Sequence, residues 1–144
     1  MATMFSTKGR YALRVMYDLG CHESWVSLGE ISKRQDISRK YLEQVCSLLV
    51  KSGLIVSQRG KAGGYMLARE PKDIAISEIL SAVEGGIHSV ACLSCKETEE
   101  ECPRKEWCPT VPLWRALDSM TANYLDSKTL ADIVPDQYEE VPED

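Results

Sequence analysis

The stretch "SLGEISKRQDISRKYLEQVCSLLVKSGLIVSQRGKAGGYML", residues 27–67, decides the fold. Ser27 and Glu30 have the spacing of a capping box, in which each side chain satisfies an orphan backbone N–H at a helix start, so a helix begins here and ends near Arg34. A second start follows at Ser38, a natural N-cap. Leu42, Val45, Cys46, Leu49 and Val50 then form an apolar stripe, and Gly53 can take the left-handed conformation that stops the helix. Only "QDIS" separates the two helices. That is a helix-turn-helix pattern, whose second helix enters the DNA major groove with its N-terminal turns at the base edges. Ser38, Arg39, Lys40, Tyr41, Glu43 and Gln44 occupy those turns. A plain helical core with charged outer faces would read the same so far.

The next residues separate the two. "LIVSQRGKAGGYML" reads as strands over 54–58 and 65–68 around a basic loop with three glycines. Gly63 and Gly64 permit close backbone approach, and Arg59 and Lys61 supply charge for phosphates or a narrow minor groove. A hairpin directly after a recognition helix is the wing of a winged helix. An ordinary hairpin explains the glycines but not the cations concentrated at its tip.

Outward from this centre, a supporting helix is expected over 7–19, capped by Ser6 or Thr7, with Ala12, Val15, Met16 and Leu19 on its inner face. After Pro71 breaks the wing strand, Ser77 is the expected cap of a helix that buries Ile79, Leu80 and Val83 and ends at Gly85 and Gly86. Residues 87–109 form a cysteine-rich loop. A long helix then opens with Pro112 in its first turn and carries Trp114, Leu117, Met120, Tyr124 and Leu125 as one apolar face. "SKTLADIV" reads as a short terminal helix capped by Ser127 or Thr129, and residues 135–144 as an acidic, disordered tail. The fold class is mainly α, in the α+β sense: a winged helix-turn-helix domain over 1–86, the loop over 87–109, and over 110–134 a long C-terminal helix, whose apolar face packs either on its own first-half domain or on a second copy as a dimerisation helix, with the terminal helix.

Length and charge agree with this division. A chain of 144 residues, 44% hydrophobic, buries an adequate core without disulfides. No secretory signal or membrane span is legible, so a reducing cytoplasm is expected, where clustered cysteines more often bind metal or sense redox state than form bridges. The net charge of -5 conceals an asymmetry: the first 72 residues carry twelve Lys/Arg against six Asp/Glu, the remainder five against sixteen. A basic module joined to an acidic one suits nucleic-acid binding at one end. Enzymatic activity is not expected. Only His22 and His88 are available as histidine bases, and "RGKAGGY" precedes a strand where a nucleotide cradle would precede a helix.

The motifs "KGRYALRVM", "SLGEISKRQDISRKYLEQV", "KSGLIVSQRGKAGGYMLAR", "ISEILSAVEGG", "LWRALDSM" and "KTLADIV" resemble, in this order, a family of bacterial winged-helix regulators. That family includes the iron-sulfur cluster regulator IscR, the nitric-oxide-sensitive repressor NsrR and the cysteine-metabolism repressor CymR. The resemblance runs from residue 4 to about residue 134. It implies a homodimer on double-stranded DNA bearing an imperfect inverted repeat, with recognition helices in successive major grooves and wings in adjacent minor grooves. Carried over by position, Ser38, Tyr41, Glu43 and Gln44 lie in the reading helix and Arg59 in the wing; the long helix pairs with its dimer mate. Glu43 has base-reading chemistry, since a carboxylate accepts from cytosine N4, whereas Arg39 and Lys40 suit phosphates.

Of six cysteines, Cys21 and Cys46 fall in helical segments and are read as small buried hydrophobes. The other four, Cys92, Cys95, Cys102 and Cys108, follow a C-x2-C-x6-C-x5-C spacing in the acidic loop. Four thiolates can complete a zinc site or the terminal positions of an iron-sulfur cluster, and spacing alone does not choose between them or exclude a thiol redox switch. The resemblance favours the cluster. Cluster-binding relatives carry three loop cysteines, the last two separated by five residues, as Cys102 and Cys108 are. Cys95 matches their first cysteine by distance from the middle one, and Cys92 matches it by position from the N-terminus. Their fourth ligand is either a histidine, where this chain has Val111, or a carboxylate on the partner's first helix, where this chain reads "KGR". The extra cysteine suits that vacancy, with His88 and Glu97 in reserve. The expectation is a cytoplasmic homodimeric repressor whose operator affinity follows the state of an iron-sulfur cluster. The alternatives are a zinc or thiol switch, or a regulator that docks on a metabolic enzyme.

Overall fold

Three serine hydroxyls set the first three helices. Ser6 Oγ accepts from the Gly9 amide (3.3 Å), Ser27 Oγ from the Glu30 amide (3.2 Å) and Ser38 Oγ from the Tyr41 amide (3.3 Å). Glu30 returns a carboxylate oxygen to the Ser27 amide at 3.1 Å, so the capping box is complete. The helices that follow are α1 (Thr7–Gly20), α2 (Leu28–Gln35) and α3 (Arg39–Lys51). The structure is a computed structural model that describes residues 5–87 and 107–135.

Between α2 and α3 the chain turns at Asp36, left-handed at φ 53°, and buries Ile37 in the core. Gly53, at φ 76°, releases the chain from α3 into the hairpin of β1 (Ile55–Gln58) and β2 (Gly64–Leu67). These strands pair antiparallel with Ile55 opposite Leu67 and Gln58 opposite Gly64, one residue off the expected bounds at Leu54 and Ala68. The ladder nonetheless continues there, because the Ala68 amide donates to the Leu54 carbonyl (3.0 Å). Val26, immediately before α2, pairs with Tyr65 through bonds of 2.8 and 3.0 Å and adds a short third rung. The wing is thereby fastened to the helix-turn-helix it follows.

After the 3-10 turn Pro71–Asp73 comes α4 (Ile76–Glu84), and its start corrects the sequence reading. The cap is Ala75, not Ser77. Alanine offers no side-chain acceptor, so the start is made by other means: Glu78 accepts from the Ala75 amide (2.9 Å), and the Ile76 amide reaches the Lys128 carbonyl (2.9 Å). Ala75 and Thr129 form an antiparallel bridge, and Leu130, in the 3-10 turn Leu130–Asp132, is fully buried. The terminal turn therefore belongs to the same core as α1, α3 and α4. Thr129 caps that turn, as one of the two expected candidates, while Ser127 is the last residue of the preceding helix.

That preceding helix, α5 (Val111–Ser127), packs against α4. The single apolar face expected for it is two stripes. Buried Val111 and half-buried Trp114, Asp118, Thr121 and Leu125 face its own domain. Leu113, Leu117, Met120 and Tyr124 are 62%, 39%, 70% and 62% exposed. At 3.6 residues per turn the two stripes lie about 110° apart around the helix.

Candidate nucleic-acid interface and thiol site

The inner face of α3 buries Leu42, Val45, Cys46 and Leu49 against α1 and α4. The 3.6-residue repeat then forces Arg39, Lys40, Glu43 and Gln44 onto the opposite, exposed face. Ser38 is exposed as well, but its oxygen is committed to capping. Tyr41 lies between the two faces, half-buried, with its ring 5.2 Å from that of Tyr11 in an edge-to-face contact. It braces the reading helix on α1 as well as standing beside the reading face.

Tyr11 joins a longer chain of contacts. The Arg14 guanidinium sits 5.3 Å over the Tyr11 ring, and its Nε donates to Gln35 Oε1 (3.3 Å). Gln35 Nε2 in turn donates to Asp18 (3.0 Å), whose carboxylate also takes two bonds from Arg34. Asp18 is the one charged residue buried among the described residues, at 2% exposure. Its bond to Arg34 raises the arginine above its ordinary value, so this cation stays charged. A line of polar and aromatic contacts thus runs from α1 through the end of α2 to the first turn of α3, and fixes the angle between the two helices of the helix-turn-helix. Sequence reasoning missed it, because Asp18 and Arg34 look like surface charges on separate helices.

In the wing, Arg59 and Lys61 are exposed, as expected of a charged tip. Gly63 and Gly64 have a packing reason to be glycine. A Cβ on Gly64 would meet the backbone of Val26 and Ser27, and its φ of 141° disfavours any side chain. A Cβ on Gly63 would meet the Gln58 carbonyl.

Of the predicted metal ligands, Cys92, Cys95 and Cys102 lie outside the described residues, with the reserve candidates His88 and Glu97. Cys108 is half-buried at the entrance to α5. Its Sγ is 3.2 Å from Thr110 Oγ1, and its carbonyl accepts from the Val111 amide (3.2 Å). Among the described residues no three His, Cys, Asp or Glu side chains converge as a metal site. Cys46 is fully buried, and desolvation pushes its thiol up to about 12. Cys21 is the C-cap of α1, half-buried beside Tyr17, and burial also raises its thiol. Thiols held in their neutral form are poor metal ligands, so neither Cys46 nor Cys21 is suited to that role.

A three-helix core, a reading helix with a polar outer face and a cationic wing define a winged-helix transcription regulator. Residues 5–136 match the Rrf2 family of iron-dependent transcriptional regulators, and the chain belongs to that family. It is 39% identical over 134 residues to the HTH-type transcriptional regulator IscR of Serratia proteamaculans, covering 92% of this chain and 79% of that one. Identity to the IscR of Erwinia tasmaniensis is 40%, with the same coverage. Among solved structures, CymR, the global cysteine regulator of B. subtilis, superposes with a TM-score of 0.71 at 38% identity, covering 92% of this chain and 96% of that chain. The IscR of T. potens gives 0.67 at 36% identity, with 89% and 83% covered. Backbone similarity to the two is nearly equal, so the shape of the domain does not decide between them. The relatives are regulators and not enzymes. No described helix is long and apolar enough to cross a membrane.

Proposed function

We propose that two copies of this chain pair through the exposed stripe of α5 and bind an inverted-repeat operator, with an affinity set by an iron-sulfur cluster held on Cys92, Cys95, Cys102 and Cys108. The observation that carries the DNA part is the division of α3 into a buried apolar face and an exposed Arg39, Lys40, Glu43 and Gln44 face, followed at once by the Arg59 and Lys61 wing. Glu43 and Gln44 offer acceptors and donors to base edges; Arg39, Lys40, Arg59 and Lys61 meet phosphates or a narrow minor groove. Leu113, Leu117, Met120 and Tyr124 repeat at i, i+4, i+7 and i+11, the spacing of a two-helix seam.

Four thiols within seventeen residues suit a cluster by donor chemistry, and the IscR relatives support that choice over zinc. A bound cluster supplies a group that oxidation, nitrosylation or iron shortage can remove. Cys108 stands just before α5 with its carbonyl bonded to the Val111 amide, α5 packs on α4, and α4 packs on α1 and α3. Strain imposed at that thiol therefore passes through packed helices to the reading helix, and DNA and ligand states are thermodynamically linked.

An absorption spectrum of protein purified without oxygen, with iron and acid-labile sulfide quantified, tests the cluster. Visible bands that Cys102→Ala and Cys108→Ala abolish support it; a colourless, zinc-loaded protein overturns the cluster and leaves the DNA reading intact. Operator binding titrated across salt tests the DNA part. Affinity should fall steeply as salt rises, and more weakly for Arg59→Ala.

A further inference from the structure

Gly29 is the second residue of α2, an eight-residue helix in which glycine is a poor choice. Its surroundings give a reason. A Cβ there would stand 2.6 Å from Arg39 Nη2, 3.3 Å from Cζ and 3.8 Å from Nε, so the Arg39 guanidinium lies directly against the place a side chain would fill. Arg39 opens α3, and its side chain thus reaches back across the turn to the first turn of α2. Among the described residues no carboxylate is within ion-pair distance of it. Glu30, next to Gly29, is engaged with the Ser27 amide. The guanidinium is therefore placed by shape and not by a countercharge, which leaves its donors for an anion from outside.

We propose that Gly29 is a positioning residue for DNA binding: the absent side chain forms a notch that orients the Arg39 guanidinium to grip one backbone phosphate at the junction of α2 and α3. This rests on the reading of Arg39 as a phosphate contact. Shape, not charge, links the two residues, so removing the notch should displace the arginine without harming the helix. The atoms in the way belong to the end of a flexible side chain, and alanine is the better helix former, so Gly29→Ala should fold at least as stably as the natural protein.

The test is a cycle of Gly29→Ala, Arg39→Ala and the double variant in the full chain, on an operator duplex recovered from a random-sequence pool with the natural protein, titrated across salt. Losing one phosphate contact lowers the slope of log affinity against log salt by about one per contact. The expected result is that both single variants weaken binding about three- to tenfold, with the same reduction in slope, and that the double variant binds like Arg39→Ala alone. An unaffected Gly29→Ala beside a weakened Arg39→Ala overturns the notch and leaves the phosphate contact standing, and so does an additive double variant. An unaffected Arg39→Ala overturns the contact itself. Failure to recover any duplex overturns the DNA reading, and this inference with it.

Discussion

Arg34 closes on the buried carboxylate of Asp18 through two hydrogen bonds, 3.0 Å from Nε and 2.7 Å from Nη2, and so ties α2 to the end of α1. Removing one partner of a buried pair strands the other in low dielectric. Asp18→Ala should lower stability by about 3 kcal/mol, the low end for a buried pair, because the Arg34 side chain keeps 30% of its exposure. Arg34→Ala should cost about as much, since it leaves the more deeply buried Asp18 with Gln35 and, at 3.8 Å, the His22 ring. The double variant should lose less than the sum of the two, by urea unfolding. Additive losses would mean that the pair is not coupled.

Glu84, the last residue of α4, accepts from both the amide (2.8 Å) and the hydroxyl (2.6 Å) of Ser6, and its carboxylate occupies the space beside Gly9. It acts as a second cap on α1, with its negative charge at the positive end of the helix dipole. Glu84→Gln should therefore cost about 1 kcal/mol in thermal or urea unfolding, in the range of a lost helix cap. An unchanged midpoint would assign the contact no energy.

The wing offers a contrast between two glycines of positive φ. Gly60, at φ 109°, has open space where a Cβ would go, whereas Gly64, at φ 141°, meets Val26 backbone. Gly60→Ala should carry only the backbone strain of about 1–3 kcal/mol, and Gly64→Ala that strain plus the displacement of a paired strand. Unfolding midpoints should rank natural protein, Gly60→Ala, Gly64→Ala in falling order.

Met120 is 70% exposed on the outer stripe of α5, so a charge there should not disturb the fold of one chain. On the proposed pairing through this stripe, the natural protein should sediment as a dimer and Met120→Glu as a monomer, at unchanged helical circular dichroism. A variant that remains dimeric would move the interface elsewhere.

Burial of Cys46 raises its thiol from an ordinary 9.0 to about 12. The neutral form is the one favoured by folding, so this contribution to stability is complete below pH 9 and is lost as pH rises toward 12. At pH 8 the buried thiol stays protonated, and Cys46 should resist alkylation until the protein unfolds. Labelling of Cys46 in the native state, read by mass spectrometry, would contradict its burial.

The first three helices were legible because their punctuation is local. Ser6, Ser27 and Ser38 cap within three residues of themselves, and each apolar stripe repeats at the helical period. The start of α4 was not legible. Ser77 has the right chemistry, but the start is fixed by the Ile76 to Lys128 bond, between segments fifty-two residues apart. In α5 the apolar period was plain and its division was not, because periodicity marks a face and says nothing of which neighbour covers it. The reading face of α3 followed from its buried stripe, while the Asp18 network and the notch at Gly29 exist only once α1, α2 and α3 are brought together.

The packing of α5 on α4 joins the two described stretches of the chain, 5–87 and 107–135. Glu84 ends α4 and Val111 opens α5, and because these two helices are docked the points they fix in space are close together, which lowers the closure cost of the chain between them. Among the described residues, the core formed by α1, α3, α4 and Leu130 does not include Cys108. The fold of the reading head is therefore independent of that thiol, and whatever chemistry Cys108 meets can alter how the head is presented without having to hold it together.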